Sequence, residues 1–312
     1  MNGKANAACM FANAVANAMQ FTRPLIISTR QVDGTVSSNA ATFFVVNDDG
    51  WIVTAGHVFD SFVKYQSDSN KIKEVDARNA ELPSPAKHAG TALELPQGLK
   101  KDPKWLTNHS FWFGWDGVRL VDVYVNRQID IAVGRLEGFQ PKMITQYPVF
   151  RDPTTLRPGT SLCRLGFPFA NVKSEFDEKR NAFHILPGSL PLPFFPNEGM
   201  HTRNMTKGKS KDGNFDLLYV ETSTPGLPGQ SGGPIFDTRG MIYAMQVQTE
   251  HISLGFQLPP NTEDHSQNIR QYLNVGLGVH GKTVQEVLKY RHIRFDTEAK
   301  SEGNEGDRFV IN

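Results

Sequence analysis

A serine hydroxyl becomes a nucleophile only when a base removes its proton and a tight turn presents it to the substrate. Pro228-Gly229-Gln230-Ser231-Gly232-Gly233-Pro234 offers such a turn, with glycines on both sides of Ser231. The glycines let the backbone across Gly229, Gln230 and Ser231 aim the N–H groups of Gly229 and Ser231 at one spot, where an oxyanion would develop. A matching base stands far upstream, in Ile52-Val53-Thr54-Ala55-Gly56-His57-Val58. There His57 follows an apolar strand and a small-residue turn, a position suited to a general base. Alone, it would read as well as a satisfied core histidine; the serine string tips the reading toward chemistry. A carboxylate must then orient the imidazole and stabilise the imidazolium. Asp130, in Gln128-Ile129-Asp130-Ile131-Ala132-Val133, opens an apolar strand where an acid is costly to bury without a partner. Asp122 is its rival, but mid-strand in Val121-Asp122-Val123 it is expected to face solvent, and Asp102 lies in a Lys-rich loop.

Short β-rich segments must position these residues. Strands are predicted at Leu25–Thr29, Ala41–Val46, Trp51–Ala55, Arg119–Val125, Ile131–Leu136, Ser161–Leu165, Leu217–Thr222, Pro234–Phe236, Met241–Val247 and Val275–Val279. Asn47-Asp48-Asp49-Gly50 reads as a hairpin turn. Regular strands with few helices point to barrels or a sandwich, not to alternating βαβ units. Val284, Val287 and Leu288 sit at helical spacing, which predicts a short helix over 282–291, and the polar residues 296–312 read as a frayed tail.

Two readings compete for residues 1–20. Lys4 and Ala16-Asn17-Ala18 suit a secretory leader, but Asn6, Asn13 and Asn17 interrupt its apolar stretch. They stack on one helical face, opposite Met10, Val15, Met19 and the alanines, so an amphipathic docking helix is preferred. Three stretches read as excursions: 66–110, 187–214 with the basic loop Lys207–Lys211, and 250–272. The Lys runs read as solvated loop.

The balance of 33 Lys+Arg against 32 Asp+Glu argues against a nucleic-acid partner, which needs a basic face. At 39% apolar and 21% charged, the chain is a globular one. Cys9 and Cys163 cannot make a disulfide framework, which favours the cytoplasm, and Cys163 reads as core. No apolar run is long enough to span a membrane. The sequence has no His-Glu-x-x-His, no paired Cys-x-x-Cys and no phosphate loop, so neither metal nor cofactor is expected.

The three strings, in the order His, Asp, Ser, resemble those of the trypsin-like (chymotrypsin-fold) serine peptidases, nearest to the bacterial Deg/HtrA-type branch. Thr42–Thr54 resembles that branch's opening hairpin and Asp130-Ile131-Ala132-Val133 its aspartate strand. Leu156–Thr160 with Leu165-Gly166-Phe167-Pro168 resembles the start of its second barrel, and Asn274–Val279 its last strand. The resemblance implies an all-β fold of two six-stranded antiparallel barrels, here with an N-terminal and a C-terminal helix. Its units would be an extension at 1–24, a first barrel at 25–150 with an insertion about 66–110, a second barrel at 151–281, and a helix and tail at 282–312. It implies a serine endopeptidase acting on polypeptides through an acyl-enzyme, with His57, Asp130 and Ser231 as triad. A catalytically silent binding module and a protease kept latent until a partner binds at 66–110 or 250–272 are the alternatives.

Departures from the family refine this. Digestive members carry aspartate before the serine, where a freed N-terminus pairs with it; Gln230 cannot do so, and no N-terminal-insertion activation is expected. By counting, Pro225 stands at the pocket floor, with walls from Gln246, Val247, Gln248 and Gly276–Gly278, which implies a preference for small or medium uncharged side chains. His251 and His265 are expected in solvent. The Deg-type peptide-binding PDZ domain does not fit in the 31 residues after Gly281. An exported protein would follow if 1–18 acted as a leader.

Overall fold

The computed structural model describes residues 10–82, 98–257 and 270–298. It opens with α1 (Ala12–Phe21), which buries Ala14, Ala18 and Phe21 and leaves Asn13 exposed, as an amphipathic helix should. Met10, Ala12 and Ala16 depart from the expected face and are exposed, and Asn6 lies outside the described residues. α1 leans on the far half of the molecule: the Phe11 ring meets Phe236 edge-on, and Gly240 lies against Ala14.

The chain then builds a six-stranded antiparallel sheet from β1 (Thr22–Gln31), β2 (Val36–Val45), β3 (Trp51–Ala55), β4 (Leu106–Phe113), β5 (Arg119–Asn126) and β6 (Ile131–Glu137). Their order is β4-β1-β2-β3-β6-β5. The predicted hairpin joins β2 to β3, with Gly50 at φ 80° and the Asn47 carbonyl oxygen of the side chain accepting from Asp49 and Trp51 N–H. β3 is central, so Ile52, Val53, Thr54 and Ala55 are all buried and no alternation survives. Each large apolar side chain so removed from water contributes about 1.5–3 kcal/mol. This sheet is a half-barrel. A bulge between Val121 and Tyr124, with Asp122 at φ 53°, bends β5, and its edge is not laddered to β4.

The second half closes. β7 (Val149–Phe150), β8 (Ser161–Gly166), the hairpin of β9 (Ser174–Asp177) and β10 (Ala182–Ile185), β11 (Phe195–Lys209), β12 (Asp216–Thr222), β13 (Pro234–Phe236), β14 (Ile242–Gln257) and β15 (Arg270–His280) precede α3 (Gly281–Tyr290) and β16 (Asp296–Thr297). The order β13-β8-β11-β12-β15-β14 returns to β13, a closed six-stranded barrel, with β7 and β16 added in parallel. α3 buries Val284, Val287 and Leu288, and His280 Nδ1 accepts from Lys282 N–H at its start. Cys163 is core, and burial pushes its thiol up to about 12.

Several crossings tie the halves together. The main apolar cluster is continuous across both, with Phe44 against Phe150. After α3 the chain returns to the first sheet, where Arg294 O accepts from Asn47 Nδ2 at 2.7 Å and the Arg294 guanidinium pairs with Asp48.

The stretch 66–110 is more structured than a loop. α2 (Asp60–Ala80) fills its start and β4, a member of the sheet, its end, while 83–97 lies outside the described residues. α2 has no apolar stripe; its buried residue is Asp68, which accepts from Leu106 N–H and pairs with Lys64 and Lys71. Similarly 187–214 contains β11, whose exposed, mixed residues hide a strand. Residues 250–257 and 270–272 extend β14 and β15 as one long hairpin, in which His251 is exposed. His265 lies outside the described residues. No helix among the described residues is long and apolar enough to cross a membrane.

Candidate active site

His57 sits in a 3-10 turn, Gly56–Phe59, at the end of β3, and Asp130 just ahead of β6. Pairing of Ala55 with Ile131 brings the two together. His57 Nδ1 lies 2.8 Å from Asp130 Oδ2, and the His57 backbone N–H donates to Asp130 Oδ1 at 2.7 Å. Asp130 Oδ1 also accepts from Arg127 Nη1 at 2.8 Å, and the rest of that guanidinium forks onto Asp60 at 2.7 Å. Asp130 stands at φ 54°, a conformation a non-glycine residue keeps only when its surroundings hold it. Gly56 makes room, since a β-carbon there would lie 3.2 Å from Asp130 Oδ1. Asp122 is exposed and pairs with Arg135, and Asp102 turns to its own loop at Lys104 N–H.

Ser231 comes from the other half, on the turn before β13. Its carbonyl accepts from Thr42 N–H at 2.9 Å, while Thr42 Oγ1 donates to Gly229 O at 2.7 Å. Thr54 Oγ1 in turn donates to Thr42 O. Gly232, at φ 86°, is wedged against Thr42, Thr54 and Ala55, so close that a β-carbon would lie 2.9 Å from Ala55 N. The serine turn therefore abuts the strand that ends at His57. Ser231 Oγ and His57 are not hydrogen-bonded to each other. Gln230 N–H is used by Leu227 O, at 2.9 Å, whereas the N–H groups of Gly229 and Ser231 have no partner among the described residues. The wholly buried Gln230 side chain accepts from Leu227 N–H and donates to Phe195 O. Across the cleft, burial and then the Asp130 charge push the Tyr219 phenol up.

Of the expected pocket residues, Gln246 is bonded to the segment that follows Ser231 in this turn. Gln246 brackets it, its N–H donating to Gly233 O and its O accepting from Gly232 N–H, both at 2.8 Å. Gln246 also faces Gly278 across the ladder, and its amide fills the space over Gly226. Val247 falls at a bulge and packs into the main core, while Gln248 is exposed. Pro225 O accepts from Asn197 Nδ2, and Gly276 lies against Arg164, Thr222 and Thr224. Among the described residues no group of His, Cys, Asp or Glu could hold a metal ion.

Thr42, Thr54 and Arg127 were not singled out by sequence. The threonines read as ordinary strand residues, and only Arg127's place three residues before Asp130 could have flagged it.

The sequence profile of a trypsin-like peptidase domain matches residues 41–245. No curated protein matches the sequence. Among solved structures, the HtrA-type protease AlgW with tripeptide is similar at 15% identity and TM-score 0.43, over 89% of this chain and 62% of that one. The Rv3671c protease from M. tuberculosis, active form, is similar at 13% identity and TM-score 0.47, over 91% and 86%. This chain thus spans less than two thirds of AlgW. Its profile match covers more than half of the sequence, and the chain belongs to the trypsin-like peptidase family.

Proposed function

We propose that the protein is a serine endopeptidase in which Ser231, His57 and Asp130 act as a triad on polypeptide substrates, in the cytoplasm. His57 Nε2 takes the Ser231 proton as Oγ attacks the peptide carbonyl, Asp130 holds Nδ1 and stabilises the imidazolium, and water then releases the acyl-enzyme. The unpartnered N–H groups of Gly229 and Ser231 stabilise the oxyanion, with Gln230 as the residue whose peptide sets their spacing. The observation that carries this reading is the doubly anchored Asp130, bonded to both the ring and the backbone of His57, beside the serine turn. Gln230 is satisfied by Leu227 and Phe195, which supports folding to competence without insertion of a new N-terminus.

A fluorophosphonate probe reacts only with a serine activated by its base and oxyanion hole. Labelling of the purified chain, lost in Ser231→Ala, is the expected result; an unlabelled chain would overturn a peptidase that is competent as folded. The open Ser231–His57 pair favours a second reading, a resting form completed by a partner at 66–110 or 250–272. Apo catalytic bonds often tighten only with substrate. Labelling that appears only on adding extract from the source cells would select that form.

A further inference from the structure

Arg164 stands in the middle of Leu162-Cys163-Arg164-Leu165, on β8, with its side chain 1% exposed. Strand alternation puts it on the face of Leu162, which belongs to the apolar cluster inside the second barrel. Its guanidinium reaches the end of β12 and the start of the loop that leads to the serine turn. Nη2 donates to Thr222 Oγ1 and, at 3.4 Å, to Thr224 Oγ1. Thr224 immediately precedes Pro225, and a β-carbon on Gly276 would collide with Nη1. Gly199 closes the other side, where a β-carbon would lie 3.4 Å from Nη2.

Nε and Nη1 are buried without any hydrogen-bond partner. No described carboxylate pairs with this guanidinium: neighbouring Glu221 is taken by Arg203 and Thr202, and Glu198 is exposed. Burial lowers Arg164 to about 10, which still leaves it cationic near neutral pH. A planar fork of donors, dry and charged, with two nitrogens unfilled, is a poor structural element and a ready carboxylate receptor. Gln246, buried on β14 against Gly226, likewise has its Oε1 unpartnered.

We propose that the recess between Thr222, Thr224 and Gly276, floored by Arg164, binds the carboxylate of an acidic substrate residue, glutamate before aspartate because of the depth to be reached. This residue is the one whose carbonyl Ser231 attacks, so the proposal rests on the peptidase reading. It replaces the expectation of a small or medium uncharged preference, which followed from finding no carboxylate in the loop before the serine and overlooked a charge arriving from β8.

The test uses the full chain and tetrapeptide anilides that differ only at the residue before the scissile bond: Glu, Gln, Asp, Ala, Phe or Gly. Glu should exceed its isostere Gln by roughly tenfold to a hundredfold in kcat/KM, the range for a charge-assisted bond gained in a dry site. In Arg164→Gln that ratio should fall to about one. Should that variant not fold, the Glu-to-Gln ratio of the natural chain decides by itself. Binding of the corresponding Glu and Gln peptides to Ser231→Ala, read by fluorescence anisotropy, examines the recess without turnover. Fluorophosphonate labelling with no preference for Glu in either assay overturns the acidic recess and leaves the peptidase. Preference confined to Gly does so too, because Arg164 and Gln246 then merely plug the site. Glu-selective binding by Ser231→Ala in a chain that takes no label upholds the recess and removes a peptidase that is competent as folded.

Discussion

On the N-terminal side of the cleft, polar groups do the holding: Asp130 collects the His57 ring, the His57 N–H and Arg127 within 2.8 Å. On the C-terminal side, no hydrogen bond holds the Ser231 hydroxyl itself. The turn is fixed through its backbone, by hydrogen bonds to Thr42 and Gln246 and by glycines pressed against Thr42, Ala55 and Phe167. Orientation of a ring needs directional bonds, whereas delivery of a nucleophile across a cleft needs close backbone approach. Electrostatic and steric substitutions should therefore damage the two sides differently.

The largest effect is expected from Asp130→Asn, which keeps the shape but spoils the ring's tautomer. Peptide hydrolysis should fall by about 10⁴-fold, with thermal stability reduced far less; a loss of only a few-fold would mean that Asp130 does not orient His57. Gly232→Ala attacks the steric side. With φ 86° and neighbours already in contact, it should cost about 3 kcal/mol or more in urea unfolding. Gly213→Ala is its control, with φ 74° but nothing within 4 Å, and should cost about 1 kcal/mol. Equal costs would show that strain alone, not contact, matters at Gly232.

Acid should weaken the closed barrel. Burial, then the charges of His201 and Lys282, lower His280 from 6.5 to about 4. The unfolded chain thus takes the proton first, so this contribution is whole above about pH 6.5 and is lost as pH falls toward 4. The loss approaches about 3 kcal/mol, and it should flatten in His280→Gln when unfolding is followed against pH. The smallest effect belongs to Asp60→Ala. It frees one fork of Arg127 in a half-exposed pair and should alter stability by under about 1 kcal/mol, less still in high salt.

The triad candidates and ten of the strands were legible because each is written in a short local string. Glycines around Ser231, a small-residue turn before His57, and runs of β-branched residues are signals within a few positions of what they specify. α2 was not legible, since its 21 residues bury mainly Asp68 and carry no apolar period. Thr42 and Arg164 escaped for another reason. Their partners lie 187 and 58 residues away, at Gly229 and Thr222, so only the closed barrel and the docked halves give them meaning. Even so, an arginine among Leu162, Cys163 and Leu165 was a visible anomaly, because a charge inside an apolar run needs a reason.

α1 lies on the barrel opposite to the sheet it precedes, and the segment at Arg294 crosses back to the hairpin at Asn47. Such lacing acts on fluctuations as well as on the mean structure. A sub-global opening that frees one half must also unseat a piece of the other, which leaves no low-energy route for the halves to melt separately. Backbone amides of β3 and β13 should consequently exchange with solvent on a common clock, and freedom for gating is left to the loops at the rim.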